Sequence, residues 1–127
     1  MRVWFLLFLL LGSSALADVE PREARVQAKG DGRYLIDVTV GNPSGNTARK
    51  PITVKLFIKA PEDKVWRQMA IWTDFVRDLP PHSAETRQFD SVLQGHQHAA
   101  FEKGKFEMRV EAMSANKKVS SKVFSYP

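Results

Sequence analysis

Three histidines are the clearest candidates for metal chemistry. His96 and His98 flank a single glutamine, so both imidazoles lie on one side of the chain if this segment is extended. Imidazole binds copper, nickel and zinc, and His82 is the third histidine of the sequence. A metal site needs three or four convergent ligands. Two interpretations stay open: a copper or zinc site made of His82, His96 and His98, or exposed loop histidines without a metal.

Acidic pairs are the candidates for acid–base catalysis. Glu62-Asp63 and the pair Asp74 and Asp78 lie in or beside predicted turns, where acidic residues are common. The sequence has no Gly-x-Ser-x-Gly elbow, no phosphate-binding glycine loop and no His-Glu-x-x-His helix. We therefore predict that the chain is not an enzyme and that it holds no cofactor.

Aromatic residues around the turn at 60–63 are candidates for binding. An even loop at this turn pairs Phe57 with Trp66 and brings Trp72 to the same outward face of a sheet. Exposed aromatic strips are typical of binding faces for glycans, peptides and proteins. The predicted binding residues are Phe57, Trp66, Trp72, Lys55 and Arg67.

The opposite face of the same two strands is predicted to be the core. In this register Ile58 lies opposite Val65, and Val54 lies opposite Met69. A one-residue slip would bury the tryptophans instead. In a second interpretation, the segment 74–80 covers both tryptophans as a small second core.

Alternation of apolar and polar residues positions these candidates on strands. A period of two runs through nearly the whole chain after residue 23, with turn-forming residues at regular spacing and no helical period. The segment 94–104 is predicted to be a polar loop around Phe101. The predicted strands cover 24–29, 33–41, 51–59, 65–73, 84–92, 105–112 and 119–126.

Seven half-buried strands of this kind predict an all-β fold, an immunoglobulin-like antiparallel β-sandwich. Each sheet then has one face toward the core and one toward water. The predicted core residues are Ile36, Val38, Val40, Val54, Leu56, Ile58, Phe106, Met108 and Val110.

Three segments carry a resemblance to a known family. Val38–Thr47 with Ile52–Ile58, and the crossing Leu79–Phe89, resemble bacterial cell-adhesion-related (CARDB-like) sandwich domains. Gly104–Ala112 is similar to the penultimate strand of these domains and of fibronectin type III domains. The resemblance covers about residues 24–126 and implies non-enzymatic binding or adhesion, without transferring site residues. The chain departs from the pattern at His82, where the crossing usually has glycine, and in its last turn, which lacks the usual acidic residues.

The first 17 residues predict export. Arg2 precedes the apolar run Val3–Leu11, and small residues lie at Ala15 and Ala17 before Asp18. This is the pattern of a cleavable Sec-type signal, whose apolar run is too short to span a membrane. We expect a signal peptide over 1–17 and one domain over 18–127, periplasmic or secreted, with no membrane span.

Composition narrows the classes of partner. The chain has no cysteine, which excludes disulfides, thiolate metal sites and a lipoprotein anchor. Its net charge of +5 is spread along the sequence, so no polybasic run indicates nucleic acid. The sequence therefore predicts an exported binding or adaptor domain for an envelope protein or a cell-wall glycan. The alternatives are the metal-binding protein described above and a small structural subunit of a surface assembly.

Overall fold

The computed structural model describes residues 17–126, and within them seven strands form two antiparallel sheets. One sheet has three strands in the order β1-β2-β5, and the other has four in the order β4-β3-β6-β7. The predicted signal segment lies outside the described residues, apart from Ala17. The elements are β1 (Glu20–Gly30), β2 (Arg33–Gly41), β3 (Thr53–Lys59), β4 (Arg67–Trp72), β5 (Ala84–Val92), α1 (Gly95–Lys103), β6 (Phe106–Met113) and β7 (Ser120–Tyr126).

The core lies between the two sheets and is formed by alternate residues of their strands. All nine residues predicted to form it are at most 5% exposed, which confirms that prediction. Residues outside the regular strands add to it, among them Phe75 and Leu79 from the segment between β4 and β5. The predicted all-β sandwich is confirmed, and burial of these apolar side chains is its main driving force.

The loop after β2 is fixed by one buried asparagine. The Asn42 amide donates to the backbone oxygens of Asn46, at 2.7 Å, and Leu79, at 3.0 Å. Its Oδ1 accepts hydrogen bonds from the backbone N–H and the hydroxyl of Ser44. Because every polar atom of this side chain has a partner, its burial is tolerated, and the loop is held against the crossing segment at Leu79.

The segment predicted as a polar loop over 94–104 is instead largely helical, which corrects that prediction. Its helix, α1, buries only Ala100 and Phe101, which are neighbours in sequence and so produce no helical period. Phe101 stacks on Phe106 with ring centroids 3.8 Å apart. Gly104 ends the helix in the left-handed conformation, with φ 69°, as glycine commonly does.

The predicted register of β3 and β4 is wrong in two respects: β4 pairs two residues further along the chain than predicted, and it contains a β-bulge. Phe57 pairs with Gln68 rather than with Trp66, and Lys55 pairs with Ile71. The pairing shifts by one residue between Leu56 and Phe57, which leaves Met69 as the extra residue of β4. Because side chains alternate along a strand, this single insertion sends the second half of β4 to the opposite face.

Candidate functional site

The exposed side of the four-stranded sheet carries the most distinctive surface in the described part of the chain. Leu56 and Ile58 of β3, like Met108 and Val110 of β6, are buried against the other sheet, so the residues between them face outward. Directly opposite residues share a face, which extends this surface to the neighbouring strands. This outer face contains Lys55, Phe57, Lys59, Gln68, Ile71, Glu107, Arg109, Glu111 and Val123, with Trp66 beside them.

Arg109 is the centre of the outer face. Its guanidinium carbon lies 4.4 Å from the centroid of the Phe57 ring and 5.0 Å from that of the Trp66 ring. The Lys59 ammonium lies 5.8 Å from the same Trp66 ring. Cations over aromatic faces are attracted by the negative potential of the ring. The pairing of β3 with β6 therefore places Arg109 against Phe57 and Trp66, two of the predicted binding residues. The sequence pattern did not single out Arg109.

The Arg109 side chain is only 26% exposed, and its polar atoms are incompletely bonded. Its Nη2 lies 3.4 Å from Glu111 Oε2, and its Nε is buried without a hydrogen-bond partner. Stacking thus holds the guanidinium in place while part of its hydrogen-bonding capacity is unused. A planar cation held in this way presents a fixed fork of donors at a sheet surface.

Trp72 does not belong to the outer face, which corrects the predicted aromatic strip. Beyond the bulge Trp72 lies opposite Val54 and therefore points to the core side of the sheet. Its ring packs edge-on against Phe75, at 5.5 Å, and Phe89, at 6.2 Å. Phe75 belongs to the segment 74–80. This segment therefore packs against Trp72, as the second interpretation predicted for both tryptophans.

The two basic residues predicted for the site are also separated by the fold. Lys55 lies on the outer face, opposite Glu111 of β6. Arg67 pairs with buried Ile58 and so lies on the other side of β4, where it is exposed. The site thus keeps Phe57, Trp66 and Lys55, and loses Trp72 and Arg67.

The three histidines do not converge, which corrects the predicted metal set. His96 and His98 lie on a helix, where residues two apart point in widely different directions. His82 lies in the turn before β5, with φ 57°. Across residues 17–126, no group of three or more His, Cys, Asp or Glu side chains is placed to hold a metal ion.

Two of these histidines instead join the helix to the sheets. His96 Nε2 lies 2.7 Å from Asp63 Oδ1, while Asp63 Oδ2 accepts a hydrogen bond from the Ala60 backbone N–H at 2.9 Å. Burial alone would raise the pKa of Asp63, but these two partners, together with the charge of Arg67, more than offset it, so that pKa lies below its ordinary value. His98 Nδ1 lies 2.8 Å from the hydroxyl of Tyr34.

One residue of each acidic pair considered for catalysis, Asp63 and Asp78, holds backbone and side-chain partners. Asp63 is occupied as described, and Asp78 Oδ1 accepts a hydrogen bond from the Lys50 backbone N–H at 2.9 Å. Asp78 Oδ2 lies 3.6 Å from Arg49 Nη1. Carboxylates used in this way fix the conformation of turns and loops.

The residues from 17 to 126 include no helix long and apolar enough to cross a membrane. No protein-family model matches the chain, and no curated protein matches it. Comparison with solved structures is more informative. A structure of β-glucosidase 3B from Thermotoga neapolitana in complex with glycerol has a TM-score of 0.52 and 20% identity. The match covers 86% of this chain and 16% of the glucosidase, so this chain spans about a sixth of that enzyme.

The second similar structure is the archaellum periplasmic stator protein FlaG from Sulfolobus acidocaldarius. It has a TM-score of 0.51 and 9% identity, and the match covers 86% of this chain and 100% of FlaG. At such low identities the similarity shows the fold alone. It agrees with an immunoglobulin-like arrangement of the two sheets.

Proposed function

We propose that this chain is an exported, non-enzymatic binding domain whose binding surface is the outer face of the four-stranded sheet. The observation that carries the proposal is the Arg109 guanidinium stacked on Phe57 and Trp66. Arginine and tryptophan are enriched among the residues that dominate binding energies at protein interfaces. Here they are held together at the surface before any partner arrives, which lowers the entropy lost on binding.

The chemistry of the outer face favours an envelope protein over a cell-wall glycan. A sugar ring stacks on a free aromatic face, whereas cations already lie over the Trp66 ring. Two aliphatic side chains are exposed at the outer strands, Ile71 at 48% and Val123 at 45%. A surface of aromatic and aliphatic residues between charged ones is typical of protein interfaces.

Export and the absence of catalysis are the other parts of the proposal. The predicted signal over 1–17 supports an extracytoplasmic location, and FlaG, a protein of the same fold, is named as a periplasmic stator. The structural roles of Asp63 and Asp78 support a non-enzymatic function. The resemblance to CARDB-like domains points in the same direction and remains a prediction.

Site-specific photo-crosslinking tests the proposal. A benzophenone amino acid at Val123 probes the outer face, and the same probe at Gln88 of β5 is the matched control on the exposed side of the three-stranded sheet. In the cell envelope we expect a protein adduct from position 123 and none from 88. Adding Trp66→Ala should abolish the adduct.

Equal adducts from both positions, or an adduct that survives Trp66→Ala, would contradict the proposed surface. Sedimentation with purified cell wall addresses the glycan separately. If the unlabelled protein sediments with cell wall and Trp66→Ala abolishes this binding, the outer face is supported as the binding surface, but its partner is a glycan rather than a protein.

A further inference from the structure

The outer face carries two columns of opposite charge on adjacent strands. Strand β3 contributes Lys55 and Lys59, and strand β6 contributes Glu107 and Glu111. The pairing places Lys59 opposite Glu107 and Lys55 opposite Glu111. The Phe57–Arg109 pair lies between these two rows. Three consecutive outward rows thus have the order lysine–glutamate, phenylalanine–arginine, lysine–glutamate.

This pattern is complementary to itself. A two-fold rotation about an axis parallel to β3 and β6, midway between them and just above the sheet, places β3 of one copy over β6 of the other. The rotation keeps the height along the strands, so each row lies over the same row of the second copy. Lys55 then lies over Glu111 of the second copy, Lys59 over its Glu107, and Phe57 over its Arg109.

We infer that the outer face binds a second copy of this chain, face to face, through the Lys55–Glu111 and Lys59–Glu107 rows. The inference rests on the proposed function, because it names the partner of the same surface. Closed two-fold dimers use one patch that is complementary to itself, and this arrangement of charges meets that requirement. Sheets also pack face to face in nearly aligned pairs, which suits such an axis.

The central row gives the contact an apolar component. Phe57 over the second copy's Arg109 continues the intramolecular stack of Arg109 on Phe57 and Trp66. Exposed Ile71 on β4 and Val123 on β7 border the charged columns on both sides.

The expected dimer is weak. Four strands spaced about 4.8 Å apart and three rows about 7 Å apart give a small contact area, at the low end for protein interfaces. Association is therefore expected only at protein concentrations of roughly tens to hundreds of micromolar.

Charge reversal with mixing tests the inference. In a dimer of the Lys55→Glu variant, the new glutamate of each copy faces Glu111 of the other copy, so two repulsive contacts arise by symmetry. In a dimer of Glu111→Lys, the new lysine faces Lys55 in the same way. In sedimentation equilibrium, each variant should dissociate about tenfold more readily than the wild type. An equimolar mixture should regain association as a heterodimer, because each reversed charge then meets its opposite.

The matched control is the ion pair Arg33–Asp90 on the exposed side of the other sheet, with its nitrogen and oxygen 3.0 Å apart. Arg33→Glu, Asp90→Lys and their mixture should associate like the wild type. Circular dichroism during thermal unfolding shows whether every variant is folded, and only folded variants are compared.

A wild type that stays monomeric up to about 1 mM, far above the concentrations expected for a small interface, overturns the inference. Failure of the mixture to regain association overturns it as well. Neither result removes the proposed function, since photo-crosslinking at Val123 to a different envelope protein would still support the surface. Loss of that crosslink together with a monomeric wild type would overturn both.

Discussion

Replacing Arg109 with methionine measures what the stacked cation contributes to folding. Methionine keeps the apolar stem against Phe57 and Trp66 but removes the guanidinium. Each cation–π contact at a partly exposed site contributes about 0.5–1 kcal/mol, so two contacts contribute about 1–2 kcal/mol. The buried Nε without a hydrogen-bond partner offsets part of this gain. We therefore expect Arg109→Met to lower the free energy of unfolding by about 1 kcal/mol.

Urea unfolding followed by circular dichroism detects a change of this size. With a slope of about 2 kcal/mol per molar urea for a small domain, the midpoint should fall by about 0.5 M. The protein is kept near 1 µM, below the range in which a small interface associates, so that self-association does not add to stability. Arg33→Met is the control: its exposed ion pair with Asp90 should contribute less than about 0.5 kcal/mol.

A double-mutant cycle with Trp66→Leu separates the stack from other effects of the substitution. We expect a coupling energy of about 0.5–1 kcal/mol between Arg109 and Trp66, because each single change removes the same contact. No coupling, together with an Arg109→Met midpoint equal to that of Arg33→Met, would refute the claim that stacking holds the guanidinium in place.

Four further predictions follow from single contacts. Acrylamide should quench Trp66 fluorescence, measured in Trp72→Phe, more strongly than Trp72 fluorescence, measured in Trp66→Phe, because the Trp72 ring packs against the core and Phe75. Asp63→Asn should cost about 1 kcal/mol in urea unfolding near neutral pH. Because the folded pKa of Asp63 is lowered, this difference should begin to shrink as the pH falls below about 4, the ordinary pKa of aspartate, and should vanish only below the lower folded pKa. Asn42→Ala should cost about 2–3 kcal/mol, since four hydrogen bonds are lost at a buried site. His82→Gly should raise the free energy of unfolding, measured by thermal unfolding, by about 0.5–1 kcal/mol, because the φ of 57° at this position favours glycine.

Most of the fold could be predicted because its strands are half-buried. In β2 and β5 the predicted bounds, 33–41 and 84–92, match the observed strands. The alternation in β3 and β6 also identified the core residues, since one face of each strand packs against the other sheet. Helix α1 escaped prediction because its two buried residues, Ala100 and Phe101, are adjacent in sequence. A helix with no apolar stripe carries little local signal of its structure.

The candidate site was harder to predict because it depends on pairings between distant strands. Phe57 and Trp66 are local to one hairpin and were identified from it. Arg109 is far away in sequence and reaches Phe57 only because β3 pairs with β6 as well as with β4. Nothing in the local pattern of β6 distinguishes Arg109 from its outward neighbours Glu107 and Glu111.

The bulge at Met69 explains why one tryptophan lies on the outer face and the other packs against the core. Trp66 precedes the inserted residue and Trp72 follows it, so the two lie on opposite faces of the same sheet. Without the insertion, both would share one face, as the simple hairpin register predicts. On the core side of the sheet, Trp72 packs edge-on against Phe75 and Phe89. Phe75 and Phe89 lie outside the hairpin of β3 and β4. The packing of the two sheets as a whole, and not the local sequence pattern, therefore determines which tryptophan faces outward.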